Sequence, residues 1–205
     1  MFCSAPLNAL DLSAIAENDA AEFRKAVESE GGSVGGEPCV ISADGPDGSS
    51  TRVISFPAVD CYVTLPVNPP SNHWTLAGAI RVEEWPYEKA AGAVFGVLFG
   101  SNDYVLGLGA GKWSKAKSLF LLSGLTNVIE EQEFQGAGIP QAGTWQKISL
   151  ALDGSDYKLQ IGDSFQKNGM IEQDGRAALT RRSKLLMRVG TFKGTATLPV
   201  LSEGQ

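Results

Sequence analysis

A single histidine, three cysteines, one acidic run and a few loop aromatics are the positions of this chain that could do chemistry. His73 lies between Asn72 and Trp74, at the mouth of an alternating segment. A lone histidine cannot complete a zinc site without cysteine or carboxylate help, and no cysteine is near it in sequence. Any Ser-His-Asp or Cys-His nucleophile would have to use His73 itself, and no G-x-S-x-G elbow partners it. The reading is a turn histidine, with no catalytic residue assigned. In the acidic run Glu130-Glu131-Gln132-Glu133, Glu131 and Glu133 are two apart and share a face if the segment is a strand. Two carboxylates so placed are what glycoside hydrolysis needs. The run leads into Gln135-Gly136-Ala137-Gly138, however, and reads first as a solvated loop or strand end.

Oxygen ligands for a hard cation are offered by Asn102 with Asp103, Asp153 with Asp156, and Asp163. The same residues are what turns require for local hydrogen bonding, so no cofactor is expected, and calcium at Asn102 and Asp103 is the candidate exception. Trp85-Pro86-Tyr87 and Trp113, the latter flanked by Lys112, Lys115 and Lys117, fall in apparent loops. Their rings suit stacking on a sugar or anchoring a protein partner, which makes Trp85, Tyr87 and Trp113 the candidate ligand-binding residues. Trp74 and Trp145 begin strands and are expected to plug the core.

The elements that must hold these residues are mostly strands. From Ala14 to Glu30 the apolar residues Ile15, Ala16, Ala20, Phe23, Ala26 and Val27 recur at helical spacing. Asn18 or Asp19 with Glu22 supplies a capping box, and Gly31-Gly32 supplies a stop. Residues 31–50 hold six glycines and two prolines. They read as a linker with at most one short strand at Cys39 to Ser42. This divides the chain into a helical docking segment at 1–36, a linker at 37–50 and one domain at 51–205. After residue 50 the period becomes two. Trp74, Leu76, Gly78, Ile80 and Val82 alternate with Thr75, Ala77, Ala79, Arg81 and Glu83. Further strands are expected at 51–56, 61–65, 93–100, 104–109, 118–123, 145–152, 157–162 and 185–190. Turns fall at Asn68-Pro69-Pro70, Ser101-Asn102-Asp103, Asp153-Gly154-Ser155-Asp156 and Lys167-Asn168-Gly169. That many short strands predict an all-β antiparallel sandwich or jelly roll with one short helix ahead of it.

Composition narrows the partners. With 17 basic and 23 acidic side chains among 205 residues the net charge is −6. No basic run exceeds Arg181-Arg182, so the footprint that a nucleic-acid phosphate backbone needs is missing. Met1 to Leu12 has no basic start and carries Pro6, Asn8 and Asp11 where a signal peptide needs an apolar run. The most apolar stretch, Ala90 to Gly100, is too short for a membrane helix, and no membrane insertion is expected. Cys3, Cys39 and Cys61 are read as free thilols of a protein made in a reducing cytoplasm, since an odd number leaves no complete disulfide framework.

Several segments of residues 51–205 resemble the laminin G-like and concanavalin A-like jelly rolls. ISFPAVDCYVTLPV (Ile54 to Val67) is similar to the family's opening hairpin, and WTLAGAIRV (Trp74 to Val82) to the strand that follows. GTWQKISLALDGSDYKLQIGD (Gly143 to Asp163) is similar to its W-containing hairpin, and VGTFKGTATLPVLSEGQ to a shortened closing segment. The resemblance implies a jelly roll in which calcium and glycans are common ligands. Glycosidases of this fold carry paired carboxylates on one strand, and the acidic run here lacks their E-x-D-x-x-E pattern. NDAAEFRKAVESEGGSV (Asn18 to Val34) resembles a short helical motif of tailed-bacteriophage structural proteins. Together these imply a non-catalytic structural or adhesion protein of a virion, decorating the capsid or belonging to the tail. Its implied contacts are other virion proteins or a host-surface glycan, with homo-oligomers on the particle. A free-standing carbohydrate-binding module, or a glycoside hydrolase using Glu131 and Glu133, are the rival readings.

Overall fold

Alternation from Trp74 to Val82 becomes a twelve-residue strand, β5 (His73–Glu84), in the middle of one of two stacked antiparallel sheets. The computed structural model describes residues 10–69, 71–86, 92–99, 104–113, 116–125, 128–133, 142–163, 165–171 and 185–203. One sheet has seven strands in the order β1 (Ser33–Gly35), β4 (Tyr62–Val67), β13 (Leu185–Gly190), β6 (Gly92–Phe99), β7 (Tyr104–Trp113), β8 (Ala116–Leu125) and β9 (Val128–Glu133). The other has eight. Its order is β12 (Phe165–Met170), β11 (Asp156–Ile161), β10 (Trp145–Asp153), β5, β14 (Lys193–Ala196), β3 (Ser50–Phe56) and β2 (Cys39–Asp44), with β15 (Val200–Glu203) continuing the β14 side of β5. The molecule is therefore an antiparallel jelly-roll β-sandwich with one short helix, as its two-residue periodicity predicts.

Each sheet buries one face against the other. Trp74, Leu76, Ile80 and Val82 of β5 join Ile148, Leu150 and Leu152 of β10 and Tyr157, Leu159 and Ile161 of β11 in one core. Val63, Leu65, Phe95, Val97, Leu106, Leu108, Met187 and Val189 enter it from the seven-stranded sheet. The hairpin joining β10 to β11 closes where its residues require. Asp153 faces Asp156, and Gly154 takes φ +66° in the turn between them, a conformation that glycine adopts without steric cost.

The N-terminal elements belong to this core. Helix α1 (Ala20–Ser29) is capped by the Asp19 carboxylate, which accepts from the Glu22 N–H at 2.8 Å. It ends at Gly31 and Gly32, whose N–H groups donate to the Glu28 and Val27 carbonyls. Its apolar face, Phe23 and Val27, is fully buried in the same cluster as both sheets. The segment expected as a separate docking piece and linker is thus built in. β1 pairs with β4, β2 pairs along its whole length with β3, and Arg24 of the helix donates to the Val34 and Gly36 carbonyls at 2.8 and 2.6 Å. The physical reason is that an amphipathic helix with two large apolar residues has to bury them, and the open edge of the sandwich is the nearest surface.

Two local expectations change. Lys167-Asn168-Gly169, read as a turn, lies within edge strand β12, where a Cβ on Gly169 would overlap the Tyr157 ring. The acidic run, read as a loop or strand end, is the end of β9, in register with β8. Trp145 does not plug the core. It sits opposite Arg81 on the outer side of the eight-stranded sheet, where its indole N–H donates to the Asp44 carbonyl at 2.8 Å and the Arg81 guanidinium lies 5.4 Å from its ring.

Candidate functional site

Side chains of β4 and β13 alternate, so Val63, Leu65, Met187 and Val189 go inward while Tyr62, Thr64 and Arg188 stand on the outer side of the seven-stranded sheet. Arg188 is half-buried there and has no carboxylate partner among the described residues. Its Nε donates to the Ala93 carbonyl and its Nη2 to Thr191 Oγ1, both at 3.2 Å. Thr191 Oγ1 in turn donates to the same Ala93 carbonyl at 3.1 Å. The guanidinium carbon is 3.9 Å from the centroid of the Tyr62 ring. Burial pulls the Arg188 pKa below its ordinary value, and Tyr62 acts in the opposite direction. An arginine stays protonated through such a shift, so the site carries a fixed positive charge.

Small residues make the room. A Cβ on Gly35 of β1 would collide with the Tyr62 ring, so the ring lies between that glycine and the guanidinium. Next to Arg188 in the same cross-strand row come Gly96 of β6 and Gly107 of β7. A Cβ on Gly96 would come 2.8 Å from the Gly107 Cα, and the reciprocal approach is 2.7 Å. Two adjacent strands thus run backbone against backbone beside the cation, and both glycines are buried. The row continues in register through Leu122 of β8 to Glu131 of β9. At about 4.8 Å per strand, the Glu131 backbone is four strands and roughly 19 Å from that of Arg188. Farther along the strands, Leu98 and Val105 form a small apolar cluster with Ala93 and Leu186 on this side.

Among the described residues, the opposite outer face carries two troughs. One, of about 410 Å³, is floored by Ala77 and Ala79 of β5 and Ser149 of β10, with Lys147, Gln160 and Thr197 at its sides. A second, of about 420 Å³, lies over Ala151 between Asp153, Lys158 and Asn168.

Of the residues singled out from sequence, Trp85 is partly buried against the core, its ring 6.3 Å from that of Phe192 at 53°. Trp113 ends β7 opposite Ala116, and Glu131 and Glu133 are on β9, the outermost strand of its sheet. Tyr87, Asn102 and Asp103 lie outside the described residues. Glu131 and Glu133 thus share one face of a strand, as their spacing requires, whereas Trp85 follows β5 of one sheet and Trp113 ends β7 of the other. His73 is exposed, and its Nδ1 is 2.6 Å from Asp153 Oδ1 across the β5–β10 register. The nearby Ser71 hydroxyl is engaged by the backbone of His73, donating to its carbonyl and accepting from its N–H. Among the described residues no three His, Cys, Asp or Glu side chains gather as metal ligands. Arg188 and Tyr62 went unremarked in the sequence. The available signal was a lone cation inside the apolar strand Leu185-Leu186-Met187-Arg188-Val189, where a charge must be on the outer face or paired.

No family model matches the sequence, and neither does any curated protein. Solved structures share the architecture. Full-length tailspike protein 2 from an Escherichia coli O157:H7 bacteriophage aligns over 82% of this chain at 14% identity and TM-score 0.57. The enzymatically active domain of bacteriophage CBA120 tailspike protein 2 aligns over 82% at 15% identity and TM-score 0.55. The alignments span 24% and 27% of those chains, about a quarter of each. Domain 4 of AbnA, a GH43 extracellular arabinanase from Geobacillus stearothermophilus solved with arabinotriose, aligns over 84% of this chain and 82% of its own, at 16% identity and TM-score 0.47. At these identities the tailspike likeness establishes the fold.

Proposed function

We propose that the chain is a non-catalytic, glycan-contacting β-sandwich of a bacteriophage virion, on the tail or the capsid surface. The observation that carries the reading is the outer face of the seven-stranded sheet, where a half-buried Arg188 without a carboxylate partner among the described residues is stacked on Tyr62. Sugar sites combine aromatic faces with a few fixed hydrogen-bond donors, and this face offers both. Context comes from the phage-like motif at Asn18 to Val34 and from a sandwich that two phage tailspike structures also contain. On this reading the protein is made in the host cytoplasm and assembles with further copies or with other virion proteins.

A glycan array with the native protein and Arg188→Gln tests it. Binding by the native protein, lost in the variant, supports the reading, and no binding above background removes it. Hydrolysis of a bound glycan that Glu131→Gln or Glu133→Gln abolishes would replace binding with glycosidase chemistry.

A further inference from the structure

A guanidinium has five N–H donors arranged as two usable edges. At Arg188 one edge is occupied. Nε and Nη2 donate to Ala93 O and Thr191 Oγ1, and these acceptors are tied to each other by the Thr191 hydroxyl. That leaves three N–H groups, on Nη1 and Nη2, without acceptors among the described residues. The occupied edge fixes the plane and rotation of the group, and the Tyr62 ring supports one of its faces. The end edge is therefore a preorganised fork, of the shape that accepts two oxygens of a planar anion.

Charge points the same way. Taking a cation partly out of water is unfavourable unless an anion meets it, and an apolar side chain of similar length would fill the position without that cost. No described carboxylate forms an ion pair with Arg188. Arg188 is only half-buried, so an anion can reach its end edge from outside the sheet.

We propose that the glycan recognised by this face is acidic, with a sugar carboxylate bound by the end edge of Arg188. The proposal rests on the glycan reading above and narrows it to uronic or sialic acids. The experiment is titration calorimetry with matched pairs, glucuronate against glucose, galacturonate against galactose, and N-acetylneuraminate against its methyl ester. The Arg188 Nε–H and Nη–H signals are followed by NMR alongside.

The native protein should bind at least one acid about tenfold or more tightly than its neutral partner, with saturable shifts of the Arg188 signals. Arg188→Gln should abolish the preference. Arg188→Lys, which keeps charge but not the fork, should retain only part of it and guards against misfolding of the glutamine variant. Equal binding of acid and neutral partners overturns the carboxylate assignment and leaves the glycan reading standing. A preference that survives in Arg188→Gln removes Arg188 from the site. If neither member of any pair binds and the Arg188 signals do not move, both readings fall.

Discussion

The Arg188 guanidinium lies 3.9 Å from the centroid of the Tyr62 ring, and the far side of that ring is shaped by Gly35 on β1. Three strands thus contribute one layer each to the same stack. Because the cation is half-buried, the ring's contribution should lie between that of an exposed contact and that of a fully desolvated one. A double-mutant cycle between Tyr62→Leu and Arg188→Met, read by urea unfolding, should give a coupling of about 1–2 kcal/mol. A coupling indistinguishable from zero would mean that the stack is incidental.

Helix α1 is part of the sandwich core. Phe23→Ala should cost about 3–5 kcal/mol, as for any fully buried aromatic, and the protein should still unfold in a single transition. Were the helix a detachable docking piece, the variant would lose helical signal while the sheets kept their midpoint.

The close approach of β6 and β7 resists side chains. Gly96→Ala places a Cβ 2.8 Å from the Gly107 Cα, against backbone that cannot yield cheaply, whereas Gly48→Ala meets nothing within 4 Å and pays only for its φ of +79°. Thermal melts should show Gly48→Ala costing about 1–2 kcal/mol and Gly96→Ala more. The opposite order would contradict the close approach of β6 and β7.

Burial pushes the Cys39 thiol up from its ordinary 9.0, and neighbouring Cys61 adds to the shift. Both are free thiols. Alkylation of Cys39 should therefore be slower than that of a solvated cysteine at pH 8 and keep accelerating as pH rises beyond 9.0. The sign for stability follows, since the folded state holds this proton more tightly. The contribution is complete below the thiol's ordinary value and is lost as pH rises through the raised one. Reaction as fast as an unstructured peptide at pH 8 would exclude the shift.

The His73–Asp153 pair is solvent-exposed on both sides. Asp153→Asn should change the melting midpoint by an amount equivalent to less than about 0.5 kcal/mol and leave glycan binding intact. A large loss of binding would move the site to the eight-stranded face.

Strand type was legible because burial on one face of a sheet leaves a two-residue period, as in Trp74 to Val82. The Asp153 to Asp156 turn was legible because its residues suit only a turn. β1, β9 and β14 were not, since short or polar strands owe their conformation to pairing with β4, β8 and β5 rather than to their own pattern. β2 was legible only as a short strand in a linker, because its place in the sheet depends on β3. The candidate site was hidden for a related reason. Tyr62 and Arg188 are 126 positions apart, and only the antiparallel register of β4 with β13 makes them neighbours. Trp85 looked like a loop aromatic because sequence cannot show that Phe192 lies beneath it.

The central claim is that ligand meets the outer face of the seven-stranded sheet at Arg188. Backbone amide NMR with a carboxylated oligosaccharide tests it most directly. The predicted result is a cluster of shifts at Thr64, Gly96, Gly107, Arg188 and Thr191. Shifts gathered instead at Ala77, Lys147, Ser149 and Gln160, around the trough on the eight-stranded sheet, would contradict it.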